Sequence, residues 1–210
     1  MTTLSAPAGT VVGRPARDGG QSPVASRILE AAAVRFYTEG IRAVSADAVI
    51  ADAGVTKATF YRHFPTKDDL VVAYLTVVAE REDARLDAWC TEHADDPAEV
   101  LRTYARAVGT QSCAPGFHGC PFINAAAEYP DPQHPVRLVV AEHRRRLLGT
   151  AADVLGRLGV HDPDAVALQL GMLRDGAMVA GDVGAPEAVT AALLRAGAAV
   201  VRAGRSGTDD

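Results

Sequence analysis

The chain has 210 residues, 48% of them hydrophobic but only 5% aromatic, and a formal net charge of −5. It can bury a substantial core in one or two domains, and its alanine-rich, aromatic-poor character suits packed helices. No apolar run is long enough for a membrane span, residues 1–21 lack the apolar centre of a secretory signal, and three cysteines in such a chain point to reduced thiols in the cytoplasm.

Charge is unevenly placed. Up to Lys67 there are eight Lys/Arg and five Asp/Glu, a balance of +3; the remainder holds 13 basic and 21 acidic residues, a balance of −8. The phosphate-seeking charge therefore lies in the N-terminal third.

Residues 1–21 are rich in Gly, Ala, Pro, Ser and Thr and read as a disordered arm. Arg14 and Arg17 could dip into a minor groove, although a solvated tail is the commoner fate of such a segment. Ser22-Pro23 supplies an N-cap and an N1 proline for a first helix that stops at Gly40. Ser45 caps the next, with Asp47 in its first turn, and Gly54 ends it because the C′ position favours a residue free to adopt φ > 0. Thr56 then caps a short polar helix through Lys57, Thr59, Tyr61 and His63, with Phe60 and Phe64 sharing its inner face. Two short helices about a tight glycine turn form the helix-turn-helix pattern, whose second helix enters the DNA major groove. Lys57 and His63 can meet phosphates or base edges; Thr56, Thr59 and Tyr61 bring hydroxyls for phosphate oxygens.

Thr66 and Asp69 form a capping box for a long helix with apolar Leu70, Val71, Tyr74, Leu75, Val77 and Val78. Asp96-Pro97 caps the following helix, with Glu99 as its capping-box acid. After a Pro/Gly-rich connection and a helix beginning near Gly119-Cys120-Pro121, a long helix spans about 136–158, with the basic run His143 to Arg146 on a solvated face. Asp162-Pro163 and Ala185-Pro186 open two last helices, about 163–181 and 186–203, dense in small and apolar residues; Ala203 onward reads as a disordered tail.

The run Ile28 to Ala32, Phe36 to Gly40, Val44 to Val55 and Thr56 to Leu70 resembles the TetR family of transcriptional regulators in order, spacing and residue type. The resemblance implies an all-α homodimer. Residues 22–67 would form a three-helix DNA-binding domain, and 68–203 an effector-binding and dimerisation domain, flanked by an arm (1–21) and a tail (204–210). The family's function would be repression of a palindromic operator, relieved by a small molecule. Ser45, Thr56 and Lys67 would anchor phosphates, and Lys57, Thr59, Tyr61 and His63 would face the DNA. The dimer would form through the last two helices, whose small residues could equally serve the chain's own core. The run Gly119 to Asn124 resembles a branch that includes regulators of multidrug-efflux genes.

Aromatic character and amphipathic placement make Trp89, Tyr104, Phe117, Phe122, Asn124 and Met172 candidates for the effector pocket. The acidity of the C-terminal part leans toward a cationic or neutral ligand. A thiol-responsive switch using Cys113 and Cys120 is the alternative on the same fold, with Cys120 reactive near a helix start beside His118. Cys113, His118, Cys120 and His134 match no compact zinc spacing, no cofactor is expected, and no nucleophile–base pair or phosphate loop suggests an enzyme.

Overall fold

The computed structural model describes residues 12–16, 22–184 and 186–206. Its described residues form helices α1 (Pro23–Glu39), α2 (Ala46–Ala53), α3 (Lys57–His63), α4 (Lys67–Glu92), α5 (Pro97–Ser112), α6 (Pro121–Glu128), α7 (Pro135–Arg157), α8 (Pro163–Val183) and α9 (Pro186–Ser206), with no strand among them. None of these helices is long and apolar enough to cross a membrane. The chain divides into two compact units. The first comprises the described residues up to Glu82 together with Pro121–Glu142; the second comprises Asp83–Cys120 and the described residues from His143 onward. This grouping cuts across a simple division of the chain at residue 67.

The expected caps form locally. Ser22 Oγ accepts from the Ala25 N–H and Ser45 Oγ from the Ala48 N–H at 3.1 Å. Thr66 and Asp69 bond reciprocally, the Asp69 N–H to Thr66 Oγ1 and the Thr66 N–H to Asp69 Oδ2. Asp96 and Asp162 cap α5 and α8 by accepting from the Glu99 and Ala165 N–H groups. Glu99 departs from the expected capping box. Its carboxylate takes Arg102 and Arg106 instead of reaching back to the cap, and these two hydrogen bonds hold it at a pKa of about 2.

In the first unit α1, α2 and α3 pack on one another around Ile28, Leu29, Phe36, Val49, Phe60 and Phe64, all buried. Phe60 lies 6.4 Å from Phe64, and Phe36 lies 5.9 Å from Tyr74 of α4, measured between ring centroids. Within the stretch expected to be a disordered arm, residues 12–16 are placed and Val12 is buried. Residues 1–11 and 17–21, including Arg17, lie outside the described residues.

In the second unit α5, α8 and α9 pack closely because small residues stand at the crossings. A Cβ on Gly109 of α5 would sit 1.8 Å from Thr190 Oγ1 of α9, and one on Gly181 of α8 would sit 2.5 Å from Ser112 Cβ of α5. Several small residues of the last helices thus serve the chain's own core. Helix α9 also runs past Ala203 to Ser206, into the expected tail, since Gly204 lets it approach Val166 and accept from the His161 N–H; residues 207–210 lie outside the described residues.

Candidate functional site

The geometry of the first unit is concentrated in the α2–α3 turn. Gly54 adopts φ 60° and ψ 41°, a left-handed conformation that a Cβ would strain. Its N–H bonds to the Ala51 carbonyl and the Val55 N–H to the Ile50 carbonyl, the paired bonds of a Schellman stop. The chain turns at once into α3, whose Thr59 amide is taken by Thr56 Oγ1 at 3.2 Å. Turn and cap together fix the direction of α3.

Phe60 and Phe64 hold α3 inward, and Lys57, Ala58, Tyr61 and Arg62 are exposed on it. Thr56 is exposed, Thr59 is half-buried, and Ser45 is exposed at the start of α2. Lys57 Nζ lies 3.2 Å from Asp47 Oδ1, with both side chains mostly in solvent, a weak pair that leaves Lys57 able to turn toward a phosphate. Lys67 is half-buried; its Nζ donates to the Arg42 carbonyl at 3.4 Å, and burial pushes its pKa down.

His63 does not share the outward face. It is 8% exposed, and its Nδ1 lies 3.2 Å from the Arg14 carbonyl. A carbonyl only accepts, so Nδ1 carries the proton, and burial pushes the imidazole pKa down. The cause is the helical period. Residues 60, 63 and 64 are spaced i, i+3 and i+4, one face of the helix, and the chemistry of the side chain does not override that. The same period identifies Arg62, missing from the sequence candidates, about 200° from Phe60 at ~100° per residue and therefore pointing away from the core.

A second long-range feature of this unit comes from α6. Glu128 accepts the Ile41 N–H at 2.8 Å and the Arg42 N–H at 2.6 Å, closing the α1–α2 connection with one carboxylate. Tyr129 Oη donates to Asp68 Oδ1 at 2.8 Å, and His134 Nε2 lies 3.3 Å from Asp68 Oδ2. These contacts bind Pro121–Glu142 to the helix-turn-helix.

The second unit holds a cavity of about 470 Å³ between α5, α7, α8 and α9, with Leu86 of α4 on its wall. That volume falls within the range of roughly 300–1,000 Å³ typical of small-molecule sites. Its walls are largely Leu, Val and Ala, and Tyr104 and Arg174 bring polar groups to them. Arg174 is 5% exposed. Its Nε donates to Tyr104 Oη at 3.2 Å, and its Nη1 to Cys120 Sγ at 3.2 Å and Asp175 Oδ1 at 3.1 Å. Asp175 also accepts Arg144 at 2.6 Å. His143, expected on a solvated face, is buried; burial, Arg174 and Arg144 push its pKa down to about 4.

Of the six pocket candidates, Tyr104 lines the cavity. Trp89 stands edge-on to the Tyr104 ring, 6.5 Å away, but is not in the lining. Phe117 is half-buried in the connection after α5, and Met172 is exposed on α8. Phe122 is buried and Asn124 exposed, both on α6 in the first unit. The cysteines form no disulfide among the described residues; Cys113 is exposed, but Cys120, the sulfur expected to be accessible, is 2% exposed.

A family model described as bacterial regulatory proteins, tetR family, matches residues 28–74. The solved structure of a TetR-family transcriptional regulator from Streptomyces coelicolor is 41% identical, with a TM-score of 0.83 over 88% of this chain and 91% of that one. A TetR-family regulator from Agrobacterium tumefaciens is 25% identical, with a TM-score of 0.73 over 85% of this chain and 96% of that one. The HTH-type transcriptional regulator LmrA of Bacillus subtilis is 29% identical over 113 residues, 53% of this chain and 60% of that protein. The HTH-type transcriptional regulator YjdC of Escherichia coli is 25% identical over 121 residues, 56% of this chain and 61% of that protein. The chain thus spans about three fifths of the length of these two relatives.

Proposed function

We propose that this chain, which belongs to the TetR family of transcriptional regulators, represses transcription as a homodimer that reads a two-fold symmetric operator through α3 and releases it when a small molecule occupies the second unit. The carrying observation is the outward face of α3. Lys57, Tyr61 and Arg62 are exposed there while Phe60, His63 and Phe64 lock the helix from behind. Phosphate contacts position such a helix and base-edge contacts give it sequence preference. Lys57 and the hydroxyls of Ser45 and Thr56 are suited to the first task, and Thr59, Tyr61 and Arg62 to the second. Lys67 serves at the start of α4, and His63 supports the helix rather than touching DNA.

Dimerisation is supported by α8. Leu168, Met172, Val179 and Val183 are exposed at spacings of four, seven and four, which places them along one side of the helix. Such a stripe suits a second copy of the chain, and two reading heads about one DNA turn apart, roughly 34 Å, need one. Residues 22–67 form the DNA-binding module in this reading. The cavity among α5, α7, α8 and α9 is the effector site, with Tyr104 as the one retained candidate. A ligand acts by binding one head spacing better than the other, since only differential affinity shifts a population. The thiol-responsive alternative loses support because Cys120 is buried. The regulator works in the cytoplasm, where its operator lies.

The test is selection of bound sequences from a random duplex pool at moderate salt. A two-fold symmetric consensus is expected. Salt-sensitive retention with no enriched sequence would show phosphate binding alone and contradict the reading.

A further inference from the structure

The segment ahead of α1 is built onto the back of α3. Val12 is buried, and Gly13 turns the backbone with a φ of +69°. A Cβ on Gly13 would stand 2.9 Å from Phe64 Cζ and 3.3 Å from Ala25 Cβ, so the chain packs directly on the end of α3 and the start of α1. One residue on, the Arg14 carbonyl accepts from Nδ1 of the buried His63 at 3.2 Å. Arg14 itself is exposed. His63 is four residues from Thr59 and shares one flank of α3 with it, beside the outward face. The docked segment therefore fixes the backbone of residue 14 alongside that flank. The charge of Arg14 lies nearby as well. Burial lowers the pKa of His63 most, the bond to the Arg14 carbonyl opposes it, and the charges of Arg62 and then Arg14 lower it further. Both guanidinium groups thus stand within electrostatic range of one imidazole.

We infer that Arg14 is a DNA-phosphate contact of the reading head, held beside α3 by the bond from His63 to its carbonyl, and that His63 is its positioning residue. This rests on the reading of α3 as the helix that enters the major groove, and it adds a contact outside the helix-turn-helix. Reach decides which part of the duplex is met. An arginine side chain extends ~6 Å from its Cα, and the phosphate strands bounding a groove ~12 Å wide lie about that far from a helix seated in it. The minor groove lies beyond that wall. A phosphate contact asks for positive charge and no base-edge pattern, which one side chain on an anchored backbone supplies. Anchoring strengthens it, because the same arginine on a free tail would lose more conformational freedom on binding.

The test measures the affinity of the full chain for duplex DNA, the selected operator first, over a series of salt concentrations. Arg14→Ala, at an exposed position, is expected to unfold at the wild-type temperature. It should bind roughly three- to tenfold more weakly at moderate salt and lose about one unit of salt slope per half-site. Arg14→Lys should keep the slope, because a phosphate accepts a point charge. The loss should be the same whether the base pairs flanking each half-site are A·T or G·C. A loss confined to A·T flanks would mean insertion into the minor groove and overturn the phosphate assignment. His63→Leu removes the donor and should reproduce the fall in slope, and His63→Asn, which keeps an N–H near the place of Nδ1, should restore it. In the Arg14→Ala background His63→Leu should leave the slope unchanged, a result that mere loosening of α3 would not give. If neither His63 variant folds, Arg14→Ala and Arg14→Lys decide. A wild-type slope in Arg14→Ala overturns the inference, and so does a His63→Leu effect of equal size in both backgrounds. If Lys57→Ala loses slope and Arg14→Ala does not, the inference falls while α3 stands as the reading helix. A wild type that retains no duplex at any salt sinks that reading too.

Discussion

In the proposed reading the two units differ in where their chemistry lies, the first on an outward helix face and the second on an interior wall. In the first, Phe60, His63 and Phe64 of α3 face in and Lys57, Tyr61 and Arg62 face out, the surface proposed to meet DNA. In the second, the proposed effector site is an interior wall, largely Leu, Val and Ala, with one buried guanidinium, Arg174. The partners proposed for each unit account for the difference. A polyanion is too large to enclose and is met by exposed cations on a rigid helix. A small ligand is bound by removing it from water, and specificity then rests on a few buried polar groups. A charge on α3 can be lost without harm to the fold, whereas the charge at Arg174 is wired into its surroundings.

The largest way to break this contrast is Phe60→Ala. Phe60 is fully buried on the inner face of α3, and its truncation should cost about 3–5 kcal/mol in denaturant unfolding. A cost below ~1 kcal/mol would mean that α3 is not held from behind as described. Next is acid sensitivity of the second unit. His143 has a pKa of about 4 in the fold against an ordinary value of 6.5. The unfolded chain therefore binds the extra proton first, and stability present above pH 6.5 is lost as the pH falls toward 4, by up to about 3 kcal/mol. Stability measured across that window should fall in the wild type and fall less in His143→Gln; equal slopes would show that His143 is not the group responsible. The smallest effect on the fold belongs to Lys57→Ala. Its ion pair with Asp47 is exposed, so unfolding should shift by no more than ~0.5 kcal/mol. The salt dependence of operator binding should nevertheless drop by about one unit of slope, the signature of one lost phosphate contact.

Sequence reasoning reached as far as interactions between near neighbours. Ser22, Ser45, Thr56, Thr66 with Asp69, Asp96 and Asp162 each act on an amide three residues away, and Gly54 on its own dihedral angle, so each was legible in a few letters. His63 was misplaced because it was judged by what imidazole can do and not by its spacing from Phe60. Arg62 could have been found from that spacing. Glu128 reaches amides 87 and 86 positions back, and no local pattern announces such a reach. The cavity was missed in most of its residues for the same reason: its wall is assembled from five helices, and aromatic character was a poor guide to a lining that is mainly aliphatic. Arg174, the one cation of α8 (Pro163–Val183), carried a usable signal, because a cation is seldom placed on an apolar helix without a partner.

The most direct measurement is the affinity of Lys57→Ala/Tyr61→Ala/Arg62→Ala for the selected operator, with thermal unfolding recorded on the same sample. Each base-edge contact is worth roughly 1–3 kcal/mol, so the variant should lose sequence-specific binding while its unfolding midpoint stays close to that of the wild type. An unchanged affinity in a folded variant would contradict the assignment of α3 as the reading helix.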